Sequence, residues 1–278
     1  MIIIGLTIQE FRGVTPSTWL RLGNAIGLAH IEFDRSVFDD VERVLTHLRS
    51  SVTIHAPYFA EYGFDLSSIE SRGEKANKFI ANLRTYSLQL DNKGVIIHPP
   101  DDPNGNQEIY LARLSEILNP IYLENMPNQS WDSFQKLYHN IHTQLQRSVG
   151  FCFDVPHSFI ANGQKFLDIP ESLMDLLASD LGYIHLSGGT QSEDRHLPLE
   201  QGSLPLAQFE EFIRKIRFRG TIVLELRPQN IDDINGILDS LVRMTKFLPW
   251  RQKLRMRSRI AIARRFIVRK ARQLITTR

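Results

Sequence analysis

Apolar runs alternate with amphipathic stretches along most of this chain. Eight short runs, rich in Ile, Val and Phe, lie near residues 2–8, 29–34, 51–55, 94–98, 120–124, 149–154, 181–186 and 221–226. Their nearly continuous hydrophobicity is typical of parallel strands that are covered on both faces. Segments with helical periodicity separate them, near residues 16–27, 37–49, 70–91, 107–118, 131–146, 170–178, 205–217 and 231–247. This α/β alternation predicts a (β/α)8 TIM barrel, with a doubly wound open sheet as the alternative.

Six of the apolar runs end on a residue that can bind a divalent metal ion. These terminal residues are His55, His98, Glu124, Asp154, His185 and Glu225. In a barrel of parallel strands the carboxyl ends converge on one rim, where active sites are built. Residues that are far apart in sequence would therefore meet in one small space. A closed barrel explains this pattern better than an open sheet does.

Two further motifs add three candidate metal ligands. In FDVPHSF, His157 follows Asp154 by three residues, and in SEDRHLPL, Asp194 and His196 are two residues apart. Alternate residues of an extended segment project to the same side, so the second pair can bind one ion. Imidazole and carboxylate ligands without thiolate suit zinc, manganese or iron, and zinc is favoured where histidines dominate. Nine ligands are too many for one ion, so we expect two to three Zn²⁺ ions, with Mn²⁺ as the alternative metal.

Clustered metal ions predict chemistry at a phosphoryl group. They activate water at neutral pH and stabilise charge on the phosphoryl and leaving-group oxygens. We therefore expect a hydrolase that acts on a phosphoester bond. Arg195 is a candidate catalytic residue, which would stabilise developing negative charge. Tyr58 and Arg12 are the candidate substrate-binding residues.

The motifs, in this order, resemble those of the endonuclease IV and xylose isomerase-like TIM barrels, also called AP endonuclease family 2. The resemblance spans residues 1–248, and the motifs that carry it are HAPY (55–58), HP (98–99), LEN (123–125), FDVPHSF (153–159), IHLS (184–187), EDRH (193–196) and LEL (224–226). The resemblance to endonuclease IV implies three zinc ions. By that resemblance the ligand sets are His55, His98 and Glu124; Glu124, Asp154, His185 and Glu225, with Glu124 bridging; and His157, Asp194 and His196.

Single-metal sugar isomerases and epimerases of the same superfamily offer an alternative function. The resemblance implies that their one metal would lie within the second ligand set, with Glu124 and Glu225 as the acid–base residues. That subset is complete in this chain, so it does not discriminate between the two functions. The remaining ligands do discriminate, because an isomerase has little need of His55, His98 or the Asp194–His196 pair. They favour phosphoester hydrolysis.

An abasic-site DNA endonuclease is a third alternative, and two features count against it. The region after the second strand, IEFDRSVFDD, is acidic and lacks the Asn-Pro-Arg type of segment with which such nucleases bind DNA. The first 250 residues hold 22 basic and 31 acidic residues, a net charge of −9, whereas DNA-binding surfaces are usually basic. The compact DRHLPL ending is closer to relatives that cleave the nucleotide loop of corrinoids in cobamide remodelling. A small phosphoester is therefore the expected substrate.

The chain divides into a barrel, residues 1–248, and a basic amphipathic tail, residues 249–278. From Arg251 to the end there are 11 Lys and Arg residues and no acidic residue. Helical spacing relates the tail residues Ile260, Ala263, Ile267, Ala271 and Leu274. The tail could pack on the barrel, dock on an anionic membrane surface, or bind nucleic acid or a protein.

The amino terminus and the cysteine content favour a cytoplasmic protein. MIIIGLTI is short and lacks the basic flank of a signal peptide, and no apolar stretch approaches the length of a membrane span. The single cysteine, Cys152, excludes an intramolecular disulfide and fits a buried thiol in a reducing compartment. Peripheral attachment to a membrane through the tail is compatible with this localisation.

Overall fold

A closed barrel of eight parallel strands forms the centre of the computed structural model, which describes residues 1–57, 63–230 and 233–276. Each strand pairs with the next in the sequence, and β8 pairs with β1, with Leu6 opposite Leu224. The strands are β1 (Ile2–Ile8), β2 (His30–Phe33), β3 (Ser51–His55), β4 (Asn92–Ile97), β5 (Ile121–Glu124), β6 (Val149–Asp154), β7 (Gly182–Leu186) and β8 (Gly220–Leu224). The predicted (β/α)8 barrel is confirmed.

Helices surround the barrel in the order that the periodicity predicts. They are α1 (Pro16–Ile26), α2 (Val41–His47), α3 (Glu70–Tyr86), α4 (Gln107–Glu116), α5 (Trp131–Leu145), α6 (Val155–Asn162), α7 (Glu171–Ala178), α8 (Leu206–Lys215), α9 (Asp233–Met244) and α10 (Trp250–Thr276). Helix α6, directly after β6, is an addition to the predicted set. It begins there because Asp154 caps it, with its Oδ1 accepting from the backbone N–H of His157 at 2.6 Å, and because Pro156 suits a first helical turn.

Polar side chains, a few large rings and a small apolar cluster that includes Ile96, Cys152 and Val223 fill the inside of the barrel. Tyr183 on β7 reaches across to β2, where its hydroxyl donates to Glu32 at 2.9 Å and lies 3.1 Å from Nε2 of His30. Contacts between non-adjacent strands such as these pass through the barrel interior. Gly150 makes room there for Tyr122, because a Cβ at that glycine would lie 2.4 Å from the tyrosine ring. The main apolar core lies outside the strands, between them and the helices.

Helix α10, the tail, packs against α1 and α9. Its inner face buries Met256, Ile260, Ile267 and Ala271, and Ala263 is partly buried against the same core. The amphipathic helix predicted from sequence therefore covers the barrel with its apolar face, while the side chain of Leu274 lies outside the described residues. No described helix combines the length and the apolar character that crossing a bilayer requires.

Candidate metal centre

The nine predicted ligands meet at the carboxyl-terminal rim of the barrel. His55, Glu124 and Asp154 are the last residues of their strands, and His98 and Glu225 directly follow theirs. The rim opens into a cleft of about 380 Å³, which is within the range of small-molecule sites. Its walls also include Thr7, Gln9, Asp34, Ala56, Pro57, Met126, Pro127 and Arg227.

The first ligand set brings three atoms together as one ion would require. Nε2 of His55 lies 3.0 Å from Nε2 of His98 and 3.1 Å from Oε2 of Glu124. Nε2 of His98 lies 3.5 Å from the same oxygen. Zinc with ligands about 2.0–2.1 Å away in a tetrahedron places neighbouring ligand atoms roughly 3.4 Å apart. The three side chains therefore fit a single zinc ion.

The second ligand set surrounds Nδ1 of His185. This fully buried nitrogen lies 3.3 Å from Oε2 of Glu124, 3.4 Å from Oε2 of Glu225 and 3.8 Å from Oδ2 of Asp154. It has no hydrogen-bond partner among the described residues. The other ring nitrogen lies 2.8 Å from Glu32, which can only accept from it, so in the neutral imidazole Nδ1 is the nitrogen that presents a lone pair beside three carboxylate oxygens. A cation between them satisfies all four groups, and Oε2 of Glu124 belongs to both sets.

The third ligand set gathers around Asp194. Its Oδ2 lies 3.0 Å from Nε2 of His157 and 3.1 Å from Nε2 of His196. Nδ1 of His157 lies 2.8 Å from the carbonyl oxygen of Asn125, so in the neutral imidazole Nδ1 carries the hydrogen and Nε2 can bind a metal. This set is looser than the first two, because its three ligand atoms do not all lie within 4.8 Å of one another.

The buried carboxylates and histidines of the cluster shift one another's pKa values. Burial alone would raise the pKa of Glu124, but His185, His55 and His98 outweigh it and hold that pKa well below its usual range. Burial would lower the pKa of His157, but the neighbouring carboxylates, Asp154 first, raise it well above its ordinary value. The carboxylates therefore stabilise positive charge between themselves and the histidines, where protons lie when the histidines are charged. Divalent ions supply that charge, so the electrostatics of the cluster also fit metal binding.

Glu32, on β2, belongs to the site although its sequence position did not single it out. It is fully buried, accepts from Thr7 at 3.1 Å, and lies 2.8 Å from Nε2 of His185 and 3.5 Å from Nδ1 of His55. One carboxylate therefore contacts two predicted ligands, His185 and His55. The signal was present in the HIEF run, where His30 and Glu32 alternate and therefore share the interior face of a buried strand.

Asn125 and Arg227 are two more residues that the strand-end pattern did not identify. The Asn125 side chain accepts from the backbone N–H of Asp154 at 2.8 Å and donates to its carbonyl oxygen at 3.0 Å. This pair of hydrogen bonds between neighbouring strand ends fixes Glu124 and Asp154 relative to each other. Arg227 lines the cleft, with Nη2 3.5 Å from Oε1 of Glu225, and brings a guanidinium to the site.

The two predicted arginines lie outside the cleft. Arg195 is exposed, with Nε 3.9 Å from Glu193, and does not line the cleft. Arg12 is also exposed, adopts a left-handed backbone conformation with φ 49°, and donates to the carbonyl oxygen of Gln229 at 3.3 Å. The structure therefore does not bring either arginine into the cleft, and their catalytic and substrate-binding roles stay predictions. Tyr58 lies outside the described residues.

Comparisons with solved structures agree with the fold. A D-tagatose 3-epimerase-like protein superposes with a TM-score of 0.63 at 19% identity, covering 88% of this chain and 97% of its own. An AP endonuclease of family 2 from Brucella melitensis gives 0.57 at 16% identity, covering 82% and 93%. The TTHB071 protein from Thermus thermophilus, soaked with ZnCl2, gives 0.57 at 18% identity, covering 85% and 97%. D-Allulose and D-psicose 3-epimerases are also similar.

Sequence comparison identifies the family. No curated protein matches this chain significantly. The model of the family described as xylose isomerase-like TIM barrel, however, matches residues 11–247, which include strands β2 to β8 and all nine rim ligands. The chain therefore belongs to the xylose isomerase-like TIM barrel family.

Proposed function

We propose that this protein is a metal-dependent phosphodiesterase that hydrolyses a small phosphodiester, with the nucleotide loop of a cobamide as a candidate substrate. One observation carries the proposal: the set of His55, His98 and Glu124 adjoins the set around His185 through a single shared atom, Oε2 of Glu124. Adjacent metal sites that share a carboxylate suit displacement at phosphorus, in which charge develops on several oxygens at once.

The three ligand sets would hold two to three ions, with zinc favoured by the five histidines and manganese as the alternative. Bound ions would supply Lewis acidity to the phosphoryl group and activate water at neutral pH. The chain itself would orient the substrate. Arg227 lines the cleft beside Glu225, and its planar guanidinium suits a phosphate oxygen pair. In this arrangement Arg227 takes the charge-stabilising role that the sequence predicts for Arg195.

The dimensions and charge of the protein favour a small substrate over duplex DNA. The cleft holds about 380 Å³, and its walls include the carboxylates of Asp34, Glu124, Asp194 and Glu225. The first 250 residues carry a net charge of −9. A nuclease that binds duplex DNA replaces the counterions of the phosphates with basic side chains. The first 250 residues of this protein are instead net negative. The DNA-endonuclease alternative is accordingly the least favoured of the three functions.

The proposal is tested with full-length protein purified without chelator. Elemental analysis should find two to three ions per chain, and the protein should hydrolyse bis(p-nitrophenyl) phosphate or release the nucleotide from a cobamide. His98→Gln, which removes a ligand of the first set, should abolish hydrolysis. His139→Gln is the matched control, because His139 is an exposed histidine on α5. Metal occupancy of one or less, without phosphodiesterase activity, would refute the proposal.

A sugar epimerase with one metal is the second candidate function. It is favoured by the second ligand set, in which Nδ1 of His185 lies 3.3 Å from Oε2 of Glu124 and 3.4 Å from Oε2 of Glu225. It is also favoured by the solved structures, since several of those similar to this chain are named as ketose 3-epimerases. On these comparisons alone the epimerase is the better-supported function, and the additional ligands are what favour the phosphodiesterase. An epimerase would keep its ketose activity in His98→Gln, so the same variant separates the two functions.

A further inference from the structure

The outward side of the tail helix α10 carries exposed apolar residues among arginines. We call this side the outer face, and it comprises Trp250, Arg251, Leu254, Arg255, Ile262, Arg265, Phe266 and Arg269. Ile262 is 83% exposed and Phe266 53% exposed, although the opposite side of the same helix already packs on the barrel. The helix therefore already has a core contact on its inner side, and the exposed apolar residues form a second apolar surface.

The charge of the outer face is unusual for a solvated helix. Arg251 and Arg255, like Arg265 and Arg269, are four residues apart, a spacing at which like charges destabilise a helix. No acidic residue occurs from Arg251 to the end of the chain to offset them. On the inner side the barrel provides partners, since Arg264 pairs with Asp239. The outer arginines thus form a one-sign surface that an anionic partner would neutralise.

We propose that the outer face of α10 docks this protein onto an anionic lipid bilayer. Headgroup phosphates and carboxylates would pair with the arginines, whose aliphatic stems extend over apolar surface while the guanidinium groups stay in the polar layer. Leu254, Ile262 and Phe266 would enter the boundary between headgroups and acyl chains, as apolar residues of interfacial helices do. Trp250, which the guanidinium of Arg251 approaches to 5.4 Å from the ring centroid, suits the interface itself.

Two features favour a bilayer over nucleic acid as the partner. Phosphate backbones are bound by basic and polar groups, and the branched aliphatic side chains of Leu254 and Ile262 would add nothing to such contacts. Stacking on single strands needs a series of aromatic residues, and the outer face offers Trp250 and Phe266, which are about four helical turns apart. A bilayer uses both the charge and the apolar area.

If the outer face of α10 lies on a bilayer, the cleft at the barrel rim stays accessible. Helix α10 runs along the side of the barrel, against α1 and α9, and none of its described residues lines the cleft. The net charge of −9 on the first 250 residues would repel the rest of the surface from anionic lipid. The helix is already formed and packed, so docking requires no folding of a disordered tail.

Co-sedimentation of the full-length protein with vesicles tests this proposal. We expect binding to phosphatidylcholine vesicles that contain phosphatidylserine, weak binding without it, and a loss of affinity as salt rises. Arg265→Glu/Arg269→Glu should weaken binding at least about tenfold, and Ile262→Ser/Phe266→Ser by a similar factor. The matched controls are Arg214→Glu/Lys215→Glu, on the exposed end of α8, and Leu88→Ser/Leu118→Ser, at sites 93% and 82% exposed.

All substituted residues are exposed, so thermal melting should show wild-type stability for every variant. The proposal is overturned if the wild type ignores phosphatidylserine vesicles at about 150 mM salt, where surface charges still act over about 8 Å. It is equally overturned if the tail variants bind like their controls. Tight binding to a random-sequence RNA, lost in the same arginine variant and unaccompanied by vesicle binding, would assign the outer face to nucleic acid instead.

Discussion

The carboxylate of Glu32 lies 2.8 Å from Nε2 of His185, and this contact joins β2 to β7 across the inside of the barrel. Because a carboxylate accepts the hydrogen, the imidazole is held with Nδ1 directed at Glu124, Asp154 and Glu225. Tyr183 donates to the same carboxylate at 2.9 Å and fixes its position. Glu32 therefore orients a metal ligand without facing the cleft itself.

Removing the Glu32 carboxylate should weaken metal binding. We expect Glu32→Ala to lower metal affinity by about 10- to 100-fold, the range typical of residues that hydrogen-bond a metal ligand. Glu32→Gln should lose less, since its carbonyl oxygen can still accept from His185. Competition with a chromophoric chelator measures the affinities directly, independent of any activity. Equal affinity in Glu32→Ala and the wild type would show that the contact plays no part in metal binding.

Glu124 should be the most sensitive of the ligands, because Oε2 serves two sets. Glu124→Gln is expected to lower the metal content by more than one ion and to reduce hydrolysis by several orders of magnitude. His196→Ala, which alters the third set alone, should remove at most one ion. Elemental analysis of dialysed protein compares the two variants. If Glu124→Gln keeps its ions and near-normal hydrolysis of a generic diester, Glu124 does not bridge the two sets.

The rim ligands could be predicted from sequence because of how parallel strands end. A buried strand needs apolar residues until it reaches the rim, so a His, Asp or Glu at its last position stands out, as at His55 and Asp154. The closure of the barrel then places all such residues together. The positions of the strand ends and the common direction of the strands both follow from the periodicity of the sequence.

Residues whose position depends on the path of a loop or on side-chain reach were harder to predict. Glu32 lies one residue before the end of its strand, and only the alternation with His30 places it inside the barrel. Arg227 comes from the segment after β8, whose course the sequence pattern does not define. Conversely, Arg195 adjoins two ligands in sequence, yet His196 adopts a left-handed backbone conformation and the exposed side chain of Arg195 does not line the cleft.

His30 should contribute a pH-dependent part of the stability. Burial lowers its pKa to about 4, although the charge of Glu32 opposes this. The unfolded chain, with an ordinary histidine pKa of about 6.5, then binds a proton before the folded protein does, so stability falls as pH drops from about 6.5 to about 4. At pH 5 the loss is about 2 kcal/mol.

Urea unfolding at pH 7 and pH 5 isolates this contribution when the wild type is compared with His30→Gln, which cannot titrate. Acidic and basic groups that are distant from His30 are common to both proteins and cancel in the comparison. Stability of the wild type should fall by about 2 kcal/mol more than that of the variant over this pH interval. Parallel losses would mean that His30 takes up its proton in the folded protein as readily as in the unfolded chain.

The tail helix should be part of the cooperative fold. Ile260 is 1% exposed and packs into the main core, whereas Ile262, two residues further, is 83% exposed. Ile260→Ala should therefore lower the free energy of unfolding by about 2–5 kcal/mol through the cavity it leaves. Ile262→Ala should change it by less than about 0.5 kcal/mol, since it removes no packed contact. Thermal or urea unfolding of the two variants provides the comparison.

Truncation after Trp250 removes nearly the whole of helix α10. It exposes the faces of α1 and α9 that Met256, Ile260, Ile267 and Ala271 cover, so the shortened protein should melt at a lower temperature and aggregate more readily. The rim ligands lie in the barrel and should keep their metal at temperatures where the shortened protein remains folded. If truncation leaves the melting temperature unchanged, the inner face of α10 contributes no stability to the barrel. In that case docking to an external surface is the remaining role for the helix.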